Sequence, residues 1–170
     1  MAHSLYDQVI PVYSRMLTNL DQILTKAEAD AAARKIDPEV LLNARLAPDM
    51  FAFTRQVQVM TDHAKFAACR LTGTEPPKWP DEEKSFAELH QRIAKALALL
   101  KEFKPAQFEG AESRTIELKF PNGAMTFTGR DYFHLFSLPN FYFHYTAAYT
   151  ILRHNGVHIG KMDFLGPPRS

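Results

Sequence analysis

The sequence has little of what marks a secreted or membrane-bound chain. Its one cysteine, Cys69, cannot form an internal disulfide, which fits a reducing compartment. The N-terminus has no basic segment followed by an apolar core, as a signal peptide would. No stretch approaches the roughly 20 apolar residues that a membrane span requires. These absences predict a soluble protein of the cytoplasm.

An excess of charge of one sign is also missing. The chain carries 20 Lys and Arg residues against 19 Asp and Glu residues, a net charge of +1 at pH 7. Such a balance creates no field that would attract nucleic acid or an anionic membrane, so neither is expected as a partner. The motifs HExxH, GxSxG, GxGxxG, CxxC and Walker A are absent as well, which removes most enzyme classes that have strong motifs.

What the chain has in quantity is apolar and aromatic residues at helical spacing. In the first predicted helix, apolar residues recur at steps of three and four: Val9, Val12, Met16, Leu20, Ile23 and Ala27. Four main helices are predicted, over about 5–34, 47–73, 85–103 and 139–154. Each has one apolar stripe that only the other helices can cover, so we expect an all-α four-helix bundle. A length of 170 residues suits a single domain over 1–170.

A different pattern separates the third and fourth helices. RTIELKF and AMTFTG alternate apolar and polar residues around Pro121-Asn122-Gly123. This pattern predicts a β-hairpin at about 114–128, inserted before the last helix, which must pack against helices to be stable. The proline-rich segment TGTEPPKWPDEE is predicted as a loop, and the final segment VHIGKMDFLGPPRS as an extended loop.

Two histidines are the main candidates for chemistry. Asn140 and His144 stand four residues apart on the apolar stripe of the last helix, so their side chains project from one face. This spacing suits two ligands of one metal ion, and it equally suits a core histidine bonded to an amide or a carbonyl. His63 on the second helix points either towards His144 or to the surface. Three polar residues of the same helix are alternative contributors: Gln56, Gln58 and Asp62.

The other reactive side chains have simpler interpretations. His3 and His90 are expected at the surface. His154 lies in the last turn of its helix, where a histidine complements the helix dipole more often than it binds a metal. Cys69 lies next to the apolar stripe of the second helix and is expected to be a small buried hydrophobe rather than a catalytic thiolate.

Aromatic residues surround the last helix on almost every side: Phe133, Phe136, Phe141, Tyr142, Phe143 and Tyr145. One interpretation is a helix packed on all sides, including against the hairpin or a partner subunit. The other is an aromatic-lined pocket for a flat or apolar ligand. In that case the pocket residues are expected to be His144, Asn140, His63, Phe141 and Tyr145.

Three segments of the chain carry a family resemblance. LPNFYFHYTAAYTILRHNGVHIGKMDFLG resembles the last helix and tail of a bacterial domain-of-unknown-function family in the DinB/YfiT-like superfamily. RLAPDMFAFTRQVQ and ACRLTGTEPP resemble the start and end of its second helix. The resemblance extends over nearly the whole chain. It implies a bundle of four helices, often in up-down-down-up order, and a homodimer.

The resemblance also implies a type of site. Many members of the superfamily hold a metal with one histidine on helix two and an HxxxH pair on helix four. The resemblance places Asn140 and His144 at that pair, and the helix-two ligand within 56–59, about one turn before His63. It thus implies a divalent-metal site, of zinc or nickel, at His144, His63 and Asn140, with asparagine in place of one histidine.

Two functions follow as expectations. The first is a bundle protein whose metal site is degenerate and which binds a small ligand in the aromatic-lined pocket. The alternative is a divalent-metal-dependent transferase or isomerase that uses a low-molecular-weight thiol, as some members of the superfamily do. No catalytic residue is predicted for either function.

Overall fold

The computed structural model describes residues 4–168, and His3, expected at the surface, lies outside them. The chain is mostly helical with a small antiparallel hairpin. In chain order the elements are α1 (Leu5–Arg34), α2 (Pro38–Asn43), α3 (Phe53–Thr72), α4 (Phe86–Glu102), β1 (Thr115–Phe120), β2 (Gly123–Thr128), α5 (Gly129–Asp131), α6 (Leu138–His154) and α7 (Lys161–Leu165). A 3₁₀ turn, Pro105–Phe108, precedes β1, and a π-helical turn, Tyr132–Ser137, joins α5 to α6.

Local capping chemistry sets most of the helix ends. The hydroxyl of Ser4 accepts a hydrogen bond from the backbone N–H of Asp7, and the carboxylate of Asp7 accepts one from the backbone of Ser4, so α1 begins with a capping box. α3 ends at Gly73, whose φ of 74° suits glycine. The hydroxyl of Ser85 accepts a hydrogen bond from Glu88 at the start of α4. These ends agree with the bounds predicted from the sequence.

The predicted start of the second long helix was wrong. It was expected at the Ala47-Pro48-Asp49 segment, but α3 begins at Phe53. Residues 44–52 instead fold into a loop, because the N–H of Met50 bonds the carbonyl of Ala47 and the N–H of Phe53 bonds the carbonyl of Ala44. Pro48 therefore lies in a turn rather than at the first position of a helix.

The long helices pack around an apolar core. α3 packs along α6 and also against α4, whereas α1 packs mainly against α4 and α7. The fully buried side chains with the largest volumes come from α1, α2, α3, the π turn and α6: Tyr13, Leu17, Leu20, Ile23, Leu24, Leu41, Phe53, Tyr132, Phe133, Phe141 and Tyr145 among them. The packing of α3 on α6 positions the candidate site, because it brings together polar residues on the facing sides of these two helices.

The hairpin forms where it was predicted. β1 and β2 pair in antiparallel register with Phe120 opposite Gly123, so Pro121 and Asn122 make the turn. Ile116 and Leu118 of β1 are buried, whereas the residues of β2 are largely exposed. The hairpin thus covers the helices with one face of its first strand.

The helical structure before α6 was not predicted. The last helix was expected to begin at Pro139, but the chain is helical from Gly129 onward, through a π turn. In this turn the N–H of Leu138 bonds the carbonyl of Phe133, five residues back. Pro139 has no N–H and its ring crowds the carbonyl four residues before it. A π turn at this point is the kind of local widening that relieves such a conflict within a helix.

The final segment is also more ordered than predicted. It was expected to be an extended loop, but Lys161–Leu165 form α7. Arg15 donates hydrogen bonds to the carbonyl of Leu165, and the side-chain amide of Asn19 donates one to the carbonyl of Phe164. These contacts hold α7 on α1. Among residues 4–168, no helix is both long and apolar enough to cross a membrane.

Candidate histidine site between α3 and α6

Two imidazole rings meet where α3 packs on α6. The ring centroids of His63 and His144 are 5.8 Å apart, and the ring planes differ by 19°. His144 lies on the stripe of α6 that faces α3 and is only 8% exposed. His63 is half-buried, so of the two orientations left open by the sequence, the structure has the inward one.

A chain of hydrogen bonds fixes the orientation of His144. Its Nδ1 lies 2.7 Å from Oε1 of Gln56, and Nε2 of Gln56 donates to the carbonyl of Phe51 at 3.0 Å. Because an amide oxygen only accepts, Nδ1 of the imidazole must carry the proton. The lone pair of His144 is therefore on Nε2, which has no hydrogen-bond partner among the described residues. Gln56 thus sets the tautomer of the ring.

Both imidazoles are held in the neutral form. Burial, together with a smaller effect of the positive charge of Arg55, lowers the pKa of His144 to about 4. Burial likewise lowers the pKa of His63 to about 4, with smaller contributions from His144 and Arg70. At pH 7 each ring therefore offers a lone pair rather than a positive charge.

His63 contains a polar atom that the fold leaves unsatisfied. Its Nδ1 is buried and has no hydrogen-bond partner among residues 4–168. The ring lies 6.1 Å from that of Phe136 in the π turn, and the ring of Phe136 lies 5.8 Å from that of Phe127 in β2. Unsatisfied buried polar atoms are uncommon in folded proteins and call for an explanation.

Aromatic side chains form the solvent side of the pair. The ring of Phe51 lies 6.3 Å from that of His144, nearly parallel to it, and Phe143 packs edge-on against the same ring. Phe51 is 48% exposed and Phe143 is 59% exposed. The guanidinium of Arg55 lies over the outer part of Phe51. Sequence reasoning missed Phe51, because nothing local indicates that a loop residue reaches α6.

The structure does not bring all the predicted pocket residues together. Asn140 is half-buried and its side-chain amide donates to the carbonyl of Phe136 in its own helix, at 2.7 Å. Phe141 and Tyr145 lie on the neighbouring stripe, which faces α1 and α7. Phe141 packs on Tyr13, and Tyr145 stacks on Phe164 and donates its hydroxyl proton to the carbonyl of Phe164. Phe141 and Tyr145 are thus core residues.

A second polar cluster lies where α4 packs on α3 and was not predicted. The side chain of Arg92 is only 2% exposed, and its guanidinium makes ion pairs with Asp62, Asp81 and Glu83. Its Nε donates to the hydroxyl of Thr61 at 2.8 Å. Asp81 and Glu83 belong to the proline-rich loop, so Arg92 holds that loop against α3 and α4. Since every donor finds an acceptor, this cluster is structural.

Comparison with known proteins identifies the family. The model of a domain of unknown function, DUF1993, matches residues 5–165. The chain belongs to this family. This DUF1993 chain is similar to a DinB family member protein from Shewanella denitrificans whose crystal structure is known. The two sequences are 46% identical, and the structures superimpose with a TM-score of 0.91. The match covers 98% of this chain and 94% of the other. No curated protein matches. The resemblance to a domain of unknown function within the DinB-like superfamily is thus confirmed.

The DUF1993 chain does not supply the metal triad of the wider superfamily. At the positions that the resemblance assigns, His144 is a histidine, Asn140 is an amide engaged in a hydrogen bond, and none of the residues 56–59 is a histidine. Amides are weak ligands for zinc and nickel. Within residues 4–168, no group of three or more His, Cys, Asp or Glu side chains is placed to hold a metal. The donor set therefore does not fit that metal.

Proposed function

We propose that this DUF1993 chain binds a small, flat ligand that donates a hydrogen bond to Nε2 of His144. The observation that carries the proposal is the hydrogen bond from His144 to Gln56, because it leaves Nε2 as a bare acceptor at the contact between α3 and α6. The neutral state of the ring at pH 7 supports the same role. A neutral ring in this tautomer accepts a hydrogen bond at Nε2 without first releasing a proton.

The side chains around Nε2 favour a flat apolar body on that ligand. Phe51 lies nearly parallel to the ring of His144, Phe143 packs edge-on against it, and both rings are exposed. Rings at this position stack on flat ligands or contact them edge-on, as in other small-molecule sites. Arg55 stands beyond Phe51 and is already ion-paired with Asp81, so it adds little attraction for an anion. A neutral aromatic hydroxyl compound is the chemical class that matches these features.

We further propose the architecture that the resemblance implies for this function. α1, α3, α4 and α6 form a four-helix bundle of the DinB kind, a single domain over 1–170, and two copies form a homodimer. Exposed apolar side chains such as Val40 and Met162 support the dimer, since a partner would cover them. The single, buried thiol of Cys69 supports a cytoplasmic location. Light scattering at several concentrations measures the mass; a monomer at every concentration contradicts the dimer.

The binding test compares two ligands of nearly the same shape. 2-Naphthol carries a hydroxyl donor, and 2-methoxynaphthalene replaces it with a methyl ether that cannot donate. We expect 2-naphthol to bind about fivefold more tightly, as one added hydrogen bond predicts. In the His144→Phe variant the two ligands should bind equally, whereas the His154→Phe control should keep the difference. Equal binding of both ligands to the unaltered protein would refute the proposal.

A metal titration separates this proposal from the alternative function. A metal bound only by the folded state raises its melting temperature as metal is added. We expect zinc and nickel to leave the melting temperature unchanged, because Asn140 is an amide and no histidine stands at 56–59. A rise that is lost in His144→Phe would instead favour the metal-dependent transferase or isomerase that uses a low-molecular-weight thiol.

A further inference from the structure

A groove of about 930 Å³ lies on the other side of α6 from the histidine pair. Its volume falls within the range of small-molecule sites, about 300–1,000 Å³. The walls come from α1 on one side and from the π turn and α6 on the other. Most of their residues are apolar, namely Leu5, Val12, Phe133, Leu138 and Tyr142, and Gln8 and His134 add polar groups. None of the residues predicted for the pocket from the sequence lines this groove.

The two walls of the groove run in the same direction. Tyr13 of α1 bonds Ser137 at the end of the π turn, and Arg34 at the end of α1 bonds the carbonyl of Asn155 after α6. One wall extends along the helical stretch from Arg130 to Tyr142, which corresponds to about 18 Å at the helical rise. The buried hydrogen bond between Tyr13 and Ser137 and the packing of Tyr13 on Phe133 make the floor rigid.

The two ends of the groove differ in chemistry. Val12, Leu138 and Tyr142 form an apolar end, whereas Glu112 and Arg130 lie at the other end. The backbone N–H of Arg130 bonds the carbonyl of Glu112 at 3.1 Å, so the two side chains start from adjacent points. Nevertheless they form no ion pair with each other or with any other described residue. The carboxylate of Asp7, also at this end, is engaged by Ser4.

A required glycine fixes the charged end. A Cβ at Gly129 would lie 1.8 Å from the carbonyl oxygen of Ala111, so only glycine allows the turn before β1 to approach the start of α5 so closely. This contact places Glu112 beside Arg130. The charges of the two side chains remain unpaired among the described residues. A carboxylate and a guanidinium that are adjacent and unpaired complement a ligand head carrying both a cation and an anion.

We propose that this groove binds an elongated amphipathic zwitterion, with its apolar chain between α1 and α6 and its charged head between Glu112 and Arg130. The site is separate from the histidine pair, because it uses the opposite face of α6. Its ligand is also of another class, since the histidine pair matches a flat, neutral molecule.

The test uses three compounds that share a decyl chain and differ only in the head: N-decyl-N,N-dimethylglycine, undecanoate and decylammonium. Calorimetric titration is carried out below the concentrations at which they form micelles. We expect the zwitterion to bind about threefold more tightly than either singly charged compound, because it makes one exposed ion pair more than each of them. In a Glu112→Gln and Arg130→Gln double variant, this preference should disappear while the binding of the chain remains.

Two further variants test where the chain lies. Leu138→Gln places a polar group in the apolar wall and should weaken the binding of all three compounds by about tenfold. Leu135→Gln is the matched control, because Leu135 is 70% exposed and does not line the groove; it should leave binding unchanged. Melting curves establish that each variant is folded. No binding of any decyl compound, or equal binding to Leu138→Gln, would overturn the proposal, and equal affinity for the three heads would overturn the assignment of the charged end.

Discussion

Acid should destabilise this protein through the imidazole of His144, and a glutamine at that position should remove the effect. The fold lowers the pKa of His144 from 6.5 to about 4, mainly by burial. The unfolded chain therefore binds a proton more readily than the folded one, and stability falls as the pH falls from 6.5 towards 4. Each unit of pKa difference corresponds to about 1.4 kcal/mol. Between pH 7 and pH 4.5 the linkage relation gives a loss of about 2 kcal/mol from this residue.

The substitution His144→Gln is suited to the test because its amide N–H still donates to Oε1 of Gln56 but does not titrate. Urea unfolding at pH 7, 5.5 and 4.5 gives the free energy of unfolding of both proteins. Between pH 7 and pH 4.5 the free energy of unfolding of the unaltered protein should fall by about 2 kcal/mol more than that of the variant. His154→Gln, at an exposed position, should follow the unaltered protein. If the loss is the same in all three proteins, His144 is not held neutral by burial and the argument fails.

Two further pairs of substitutions compare the stability lost at a buried polar residue with the stability lost at an exposed one. Arg92→Ala should lower the free energy of unfolding in urea by about 3 kcal/mol or more, because it leaves acidic side chains without their buried partner. Lys95→Ala, at an exposed position, should change it by less than about 0.5 kcal/mol. Similar losses in the two variants would show that the cluster is not structural. His144→Ala should lower the melting temperature more than His154→Ala, since His144 is buried and bonded; equal melting temperatures would contradict this.

Helix ends with their own capping chemistry could be predicted from the sequence. Asp37 caps α2 directly before Pro38, a short motif that is visible in the sequence, and Gly73 ends α3. The hairpin was predictable for the same reason, since Pro121 and Asn122 make its turn. In each case the deciding interaction lies within a few residues, so a short pattern contains the information.

The elements that were missed depend on distant contacts. The loop before α3 closes through a bond between residues nine apart, Phe53 and Ala44, which no capping motif describes. The π turn replaces a regular helix only because Pro139 follows it within a helix that tertiary packing continues. α7 was taken for a loop because five residues are too few for a periodic pattern.

The candidate site was predictable in its parts but not in its arrangement. The four-residue step from Asn140 to His144 correctly put His144 on the buried stripe, and Gln56 was already an alternative polar contributor. The hydrogen bond that joins His144 to Gln56 spans 88 residues, however, so no local pattern could pair them. The amide of Asn140 turned out to bond its own helix, which the spacing alone does not distinguish from an inward orientation.

The attachment of α7 to α1 has a consequence for synthesis of the chain. Arg15 and its acceptor, the carbonyl of Leu165, are 150 residues apart, so the ribosome makes α1 long before the segment that covers it exists. Until α7 emerges, the side chains of Arg15 and Asn19 have no acceptors from it, and Tyr145 lacks Phe164. A nascent chain halted before α7 would therefore keep this side of the molecule open to chaperones and proteases.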